Sequence, residues 1–124
     1  MKLKTKEISI NANIPVIEFK EENVYYYYTP ALDVYGYGYT KKEAEASFEI
    51  CIEEFFKYTI ENGTLHEVLT TDLGWKIKTK DELPVVTVPD IFKATKRSQD
   101  VYKSLVSTDF QKFNKTVSIP VSAL

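Results

Sequence analysis

The sequence predicts an α+β protein in which a small antiparallel sheet packs against one long helix. Three patterns predict this class: a helical repeat of apolar residues over residues 40–63, short aromatic and β-branched runs before it, and an alternating run near the C-terminal end. The chain has 124 residues and is 44% hydrophobic, which suffices for one globular core. We therefore expect the order β-β-β-α-β, with three to four strands in the sheet.

Residues 40–63 carry the clearest signal for a helix. Thr40 and Glu43 have the spacing of a capping box, in which the hydroxyl and the carboxylate each accept a hydrogen bond from an unpaired backbone N–H. Asn62 and Gly63 supply a stop, because both residues tolerate the left-handed conformation that ends many helices. The face predicted to be buried comprises Ala44, Phe48, Cys51, Ile52, Phe55 and Thr59.

Three strands are predicted before the helix, over residues 16–20, 24–29 and 34–39. Residues 3–12 alternate weakly and fit either an edge strand or a mobile arm. Gly36 and Gly38 fall on one side of the third strand, where they leave room for another element to pack closely.

Two elements are predicted directly after the helix. Thr64 and Glu67 repeat the capping-box spacing, so a short helix is expected over residues 65–72. Trp75 and Ile77 alternate with lysines, which predicts a fourth strand that joins the sheet.

Residues 81–124 are predicted to be a C-terminal extension of a principal unit formed by residues 1–80. The elements expected there are a non-central extended run over residues 83–89, short helices over 91–94 and 101–106, and a strand over 113–121. Residues 115–121 of the last strand are a candidate for exchange between subunits, because an edge strand can pair with another chain. A homo-oligomer is therefore expected.

Tyrosines at positions 25 to 28 and one isoleucine are the candidate partner-binding residues. Alternation along a strand puts Tyr25 and Tyr27 on one face and Tyr26 and Tyr28 on the other, without indicating which pair meets the helix. The pair facing the helix is expected in the core, and the other pair is expected to face solvent or a partner. Ile50 projects among the glutamates of the helix, where it is either a second contact or an ordinary exposed isoleucine.

The charge balance bears on nucleic-acid binding. A formal net charge of −2 argues against a protein that coats nucleic acid indiscriminately, since such binding depends on excess lysine and arginine. A local basic cluster is a candidate DNA contact, and its alternative is a solvated helix pair that balances the acidic central helix. The cluster consists of Lys93, Lys96, Arg97 and Lys103.

No catalytic, metal-binding or cofactor-binding motif is recognisable in the sequence. Cys51 is expected to be a small core residue, and His66 an ordinary residue of a short helix. Glu18 and Asp33 are the only carboxylates on or beside the predicted strands apart from turn residues, and surface roles are expected for both. We expect a protein that is not an enzyme and that holds no cofactor.

The N-terminal residues do not have the pattern of a targeting or membrane segment. A basic start is followed by alternating polar and apolar residues instead of a continuous apolar run. A single cysteine is compatible with a reducing compartment. We expect a cytoplasmic protein with no membrane partner.

Two short runs carry a resemblance to a known family. One is Tyr27-Tyr28-Thr29-Pro30-Ala31-Leu32, and the other is Gly38-Tyr39-Thr40-Lys41-Lys42-Glu43-Ala44. In the HicB-like antitoxin family a strand leads into a Pro-x-Leu turn, and a Gly-x-Thr-x-x-Glu-Ala element opens the helix. Residues 14–63 resemble that family in both respects. They depart from it at Asp33 and Val34, where members commonly place a small or glycine-containing turn.

The resemblance implies a partial RNase H-like fold without catalysis. Members of the family bind and neutralise a HicA-type toxin, a small mRNA-cleaving ribonuclease, and many add a C-terminal DNA-binding segment that recognises their own promoter. The expected function is thus an antitoxin that masks its toxin by steric occlusion. Two alternatives are a transcriptional regulator that uses the basic extension on DNA, and a scaffold or ligand-binding domain without a toxin.

Overall fold

The computed structural model describes residues 8–90, 100, 103 and 110–124, and it has the α+β class expected from the sequence. A four-stranded antiparallel sheet has the strand order β3-β2-β1-β6, and a separate hairpin pairs β4 with β5. The strands are β1 Ser9–Glu21, β2 Val24–Thr29, β3 Val34–Gly38, β4 Lys76–Lys80, β5 Leu83–Thr87 and β6 Phe110–Pro120. The helical elements are α1 Lys41–Glu61, α2 Leu65–Glu67, a π-helical turn Val68–Asp72 and a 3-10 turn Val121–Ala123.

β1 is one long strand where the sequence predicted a weak segment and a separate strand after Pro15. Val121 donates its backbone N–H to the carbonyl of Ile8 at 2.8 Å. In an antiparallel ladder every second residue bonds to the partner strand, so Ile8 and each second residue after it bond to β6. Pro15 is not one of these residues, and its backbone nitrogen faces away from β6. The first pair between β1 and β2 is Ile17 with Tyr28, so β2 does not reach Pro15. A proline fits here because the ladders between the described strands need no N–H at this position.

Helix α1 lies very close to β3 because two glycines lack side chains. A Cβ atom on Gly36 would lie 2.2 Å from the backbone nitrogen of Phe48, and one on Gly38 would lie 2.5 Å from Cβ of Glu43. The prediction that these glycines make room for a close neighbour is confirmed, and the neighbour is the long helix.

The predicted capping of α1 is also confirmed. Glu43 donates its N–H to the Thr40 hydroxyl at 3.1 Å, and the Glu43 carboxylate accepts the N–H of Tyr39 at 3.0 Å. Gly63 follows the helix with a φ of +65°, the left-handed conformation that ends it. The buried residues of α1 are Ala44, Phe48, Ile52 and Thr59, whereas Cys51 and Phe55 are half-buried.

The second capping box, predicted at Thr64, is wrong. The Thr64 side chain makes no cap hydrogen bond to α2; it donates instead to the carbonyl of Thr59 at 3.4 Å. Thr64 has φ −111° and ψ 2°, which differs from the extended conformation that an N-cap residue normally has. The short helix then widens into the π-helical turn, and Gly74, with a φ of +79°, follows it.

The fourth strand of the sheet is β6, so the prediction that the strand after Trp75 joins the sheet is wrong. Among the described strands, β4 pairs with β5 alone, in a hairpin whose turn residues Asp81 and Glu82 both have positive φ. Trp75 is instead buried in the main core, where its indole N–H donates to the carbonyl of Ala31 at 2.8 Å. The run over residues 83–89 does avoid the central sheet, as expected.

β6 pairs with β1 of the same chain, and exchange of this strand between subunits stays a prediction. Its side chains alternate as predicted, with Val117 and Ile119 buried on the helix side. The boundary predicted at residue 80 also stays a prediction, although β6 belongs to the same sheet as β1, β2 and β3.

The helix-facing side of the sheet carries the main core, and part of the opposite face is buried as well. The main core, between the sheet and α1, contains Ile14, Val16, Tyr27, Phe48 and Trp75 among others. A second buried cluster on the opposite face comprises Ile17, Phe19 and Tyr28, with Tyr26, Tyr35 and Phe110 packed against it. The helices predicted over 91–94 and 101–106 lie outside the described residues, except that Lys103 is helical. No helix in the described part of the chain has the length and apolar character needed to cross a bilayer.

Candidate partner-binding surface

The tyrosines of β2 are distributed between the two faces in the way that strand alternation predicts. Tyr27 faces α1, and its ring makes edge contacts with Phe48 at 5.9 Å and with Phe113 at 5.8 Å. Tyr25 is half-buried on the same side, with the Lys20 ammonium 5.0 Å from its ring centre. The helix-facing pair is therefore Tyr25 and Tyr27.

The opposite pair does not form the solvent-facing surface that the sequence suggested. Tyr28 is fully buried, its ring lies 4.3 Å from that of Tyr35, and its hydroxyl donates to Asp33 at 2.7 Å. Tyr26 is half-buried and stacks on Phe19 at 5.0 Å. The expectation that the pair away from the helix faces solvent or a partner is wrong for Tyr28, because the second cluster buries this part of the sheet.

The exposed face of α1 remains as a surface that a partner could contact. Ile50 is 58% exposed and Tyr58 is 69% exposed. The helix carries six glutamates against three lysines, so its exposed surface is acidic. Partner binding by Ile50 stays a prediction, and the charge favours a basic partner.

A cleft separates α1 from β6. We call it the α1–β6 cleft and define it by the surface residues that line two adjoining cavities between these elements. One cavity, of about 310 Å³, is walled by the rings of Tyr27, Phe48 and Phe113. The other, of about 400 Å³, is walled by Ile52, Phe56, Ile60, Val117 and Pro120 among others. Glu49 and Lys115 line both cavities and form an ion pair across the cleft.

Carboxylates dominate the charge of the cleft. Glu18 pairs with Lys41 at 3.2 Å, and Glu49 pairs with Lys115. Glu45 lines the aromatic cavity and Glu53 the apolar cavity, and neither has an ion-pair partner among the described residues. Within the part of the chain that the structure describes, the cleft therefore offers one acid without an ion-pair partner in each cavity.

The electrostatic effect of these acids is visible at Tyr27. Burial, the negative charge of Glu18, a hydrogen bond to Glu18 and the negative charge of Glu45 together raise the pKa of its hydroxyl to about 12, and burial has the largest effect. Tyr27 is therefore neutral at physiological pH, and the cavity keeps its negative charge on the glutamates.

The residues considered for catalysis are dispersed. Cys51 is half-buried on α1 and His66 is exposed on α2. Glu18 lies on the helix side of the sheet, whereas Asp33 bonds to Tyr28 on the other side. Among the residues that the structure describes, no three His, Cys, Asp or Glu side chains are grouped so that they could hold a metal ion.

The basic cluster proposed for DNA contact lies largely outside the described residues. Lys93, Lys96 and Arg97 are not described, and Lys103 is exposed. DNA binding by this cluster stays a prediction.

Sequence reasoning missed the acidic wall of the cleft. The signal was present as glutamates at positions 45, 49 and 53, because residues four apart lie on one face of a helix. These glutamates form a wall of the cleft only because β6 lies opposite them, and local sequence does not give the position of β6.

Comparison of the chain with protein-family models, with curated proteins and with solved structures finds no match.

Proposed function

We propose that this chain is a non-catalytic binding protein of the HicB-like antitoxin type, which neutralises a HicA-type mRNA-cleaving toxin by covering it. One observation carries the proposal: the run that resembles the family forms the joint between β3 and α1. Gly38 leaves room for the helix, Thr40 and Glu43 cap it, and Ala44 in its first turns is fully buried. These residue types are thus required by the packing of this joint.

The acidic surface of α1 supports the proposal from an independent direction. A ribonuclease must attract the phosphates of its substrate, so its substrate-binding surface is expected to be basic. An acidic helix competes with RNA for such a surface and accelerates association by long-range attraction. Inhibition by this route needs no chemical step in the antitoxin.

Co-expression with the neighbouring reading frame tests the proposal. If that frame encodes a toxin of this type, its induction alone should arrest growth and degrade mRNA, and co-expression of this chain should restore growth. The two proteins should also co-purify, and mixing them should stop RNA cleavage in vitro. The proposal is refuted if the neighbour is not toxic, or if the toxin remains active when this chain is present in excess.

A further inference from the structure

We infer that the α1–β6 cleft binds an extended basic segment of the partner, which adds to the sheet as a strand next to β6. This inference rests on the proposed function in taking the partner to be a basic protein. It adds the location of the contact and the sequence pattern that would be recognised.

The backbone of β6 is suited to strand addition. β6 lies at one end of the sheet, and no described strand pairs with its outer side. Val121 donates its N–H to β1, and every second residue of β6 before it does the same. The residues between them, Asn114, Thr116 and Ser118, direct their N–H groups outward. Such unpaired groups can bind an added strand. Pro120 has the same orientation, so the absence of its N–H affects the outer side of β6 and not the pairing with β1.

The spacing of the unpaired acids matches an extended chain. Glu45 and Glu53 are separated by eight residues on one helix, which is about 12 Å at 1.5 Å per residue. In a strand, residues i and i+4 point to the same side and lie about 13 Å apart at 3.3 Å per residue. Two basic residues at i and i+4 would therefore meet both carboxylates.

The walls of the cleft fit the remaining atoms of such a segment. Rings of Tyr27 and Phe113 in the first cavity can contact a cationic head group beside Glu45. Ile52 and Phe56 in the second cavity can pack against the aliphatic part of a lysine or arginine whose charge reaches Glu53. The residue at i+2 would lie between the cavities, beside the Glu49–Lys115 pair, and an apolar residue fits there without adding charge.

A second copy of this chain fits the cleft less well. The only charged residues of β6 are Lys112 and Lys115, which are three positions apart and so point to opposite faces of the strand. A second β6 would therefore present one lysine to the cleft, where two unpaired carboxylates are available.

Peptide binding tests the inference on the intact chain. The probe is a fluorescein-labelled, end-blocked heptapeptide, Thr-Lys-Thr-Val-Thr-Lys-Thr, and the control peptide replaces both lysines by glutamate. At 0.15 M salt we expect saturable binding of the lysine peptide by fluorescence anisotropy, and none of the glutamate peptide. Failure of the lysine peptide to bind at 1 mM, or equal binding of both peptides, would overturn the inference.

Two neighbouring glutamates give a matched pair of variants. Glu53→Lys and Glu54→Lys change the net charge equally on adjacent positions of α1, but only Glu53 lines the cleft. Glu53→Lys should weaken binding at least tenfold, and Glu54→Lys less than twofold, because charges beyond about 8 Å are screened at this salt concentration. Equal effects of the two variants would mean that general charge attraction, and not the cleft, holds the peptide.

The contribution of the β6 backbone is tested separately. Ser118→Pro removes one outward N–H without removing a hydrogen bond to β1, so binding should fall while the melting temperature changes little. Unchanged binding in this variant would refute strand addition. If the neighbouring toxin is neutralised equally well by the wild type and by Glu53→Lys, the proposed function stands and the cleft is the wrong surface. If the peptide binds as expected but no toxin is neutralised, the cleft stands and the antitoxin function does not.

Discussion

The closeness of α1 to β3 predicts a large effect of adding one methyl group at Gly36. In Gly36→Ala the new Cβ would lie 2.2 Å from the nitrogen of Phe48 and 2.3 Å from its Cα, both backbone atoms that no rotamer change can move. Ordinary contact begins near 3.4 Å, so helix and strand must separate by about 1.2 Å. A gap of this size forfeits roughly half of the dispersion energy between the surfaces it divides.

We expect Gly36→Ala to lower the free energy of unfolding by about 3 kcal/mol, the upper end of the range for overpacked cores. Chemical denaturation followed by circular dichroism should show it as a urea midpoint lowered by about 2 M, for a slope of about 1.5 kcal/mol per molar. Gly63→Ala is the matched control, because a Cβ there meets no atom within 4 Å and only the positive φ is unfavourable. The free energy of unfolding of that variant should fall by about 1 kcal/mol, the cost of the left-handed conformation for a residue with a Cβ. Equal losses in the two variants would refute the close approach of α1 to β3.

Three further changes have calculable outcomes. Thr40→Ala removes the cap on the Glu43 N–H and should lower the free energy of unfolding by about 1 kcal/mol, measured by urea denaturation; no loss would mean that the cap is unimportant. The raised pKa of Tyr27 means that the fold favours the neutral phenol, so its contribution is complete below pH 10 and declines as the pH rises towards 12. Between pH 9 and pH 11.5 the free energy of unfolding of the wild type should therefore fall by about 2 kcal/mol more than that of Tyr27→Phe. Equal losses in the two proteins would contradict the raised pKa. Thr29 has the only buried side-chain oxygen without a hydrogen-bond partner among the described residues, so Thr29→Val should leave thermal stability unchanged or raise it by up to about 1 kcal/mol; a clear loss would show that the hydroxyl has a partner.

Local sequence was sufficient for the elements whose cause is local. The ends of α1 follow from Thr40, Glu43 and Gly63, whose side-chain and backbone preferences act within a few residues. The pair Gly36 and Gly38 likewise indicated a close approach, since two glycines on one side of a strand leave room for another backbone.

Predictions failed where the answer depends on distant residues. Trp75 and Ile77 alternate as a strand should, but alternation does not specify which strand will be the neighbour, and β6 took the position beside β1. Alternation also divided the four tyrosines of β2 correctly into two pairs on opposite faces, yet it could not show which pair meets the helix, or that the far face of the sheet has a buried cluster of its own. The acidic wall of the α1–β6 cleft could not be predicted either, because it depends on the position of β6.

The pairing of β1 with β6 also has a consequence for biosynthesis. β2, β3 and α1 follow β1 closely in the chain, so the three-stranded part can assemble as soon as it leaves the ribosome, whereas the first half of β1 must wait for a segment made much later. At 5 to 20 residues per second that delay lasts on the order of ten seconds. Throughout this interval the first half of β1 is an unpaired strand that chaperones and other nascent chains can contact.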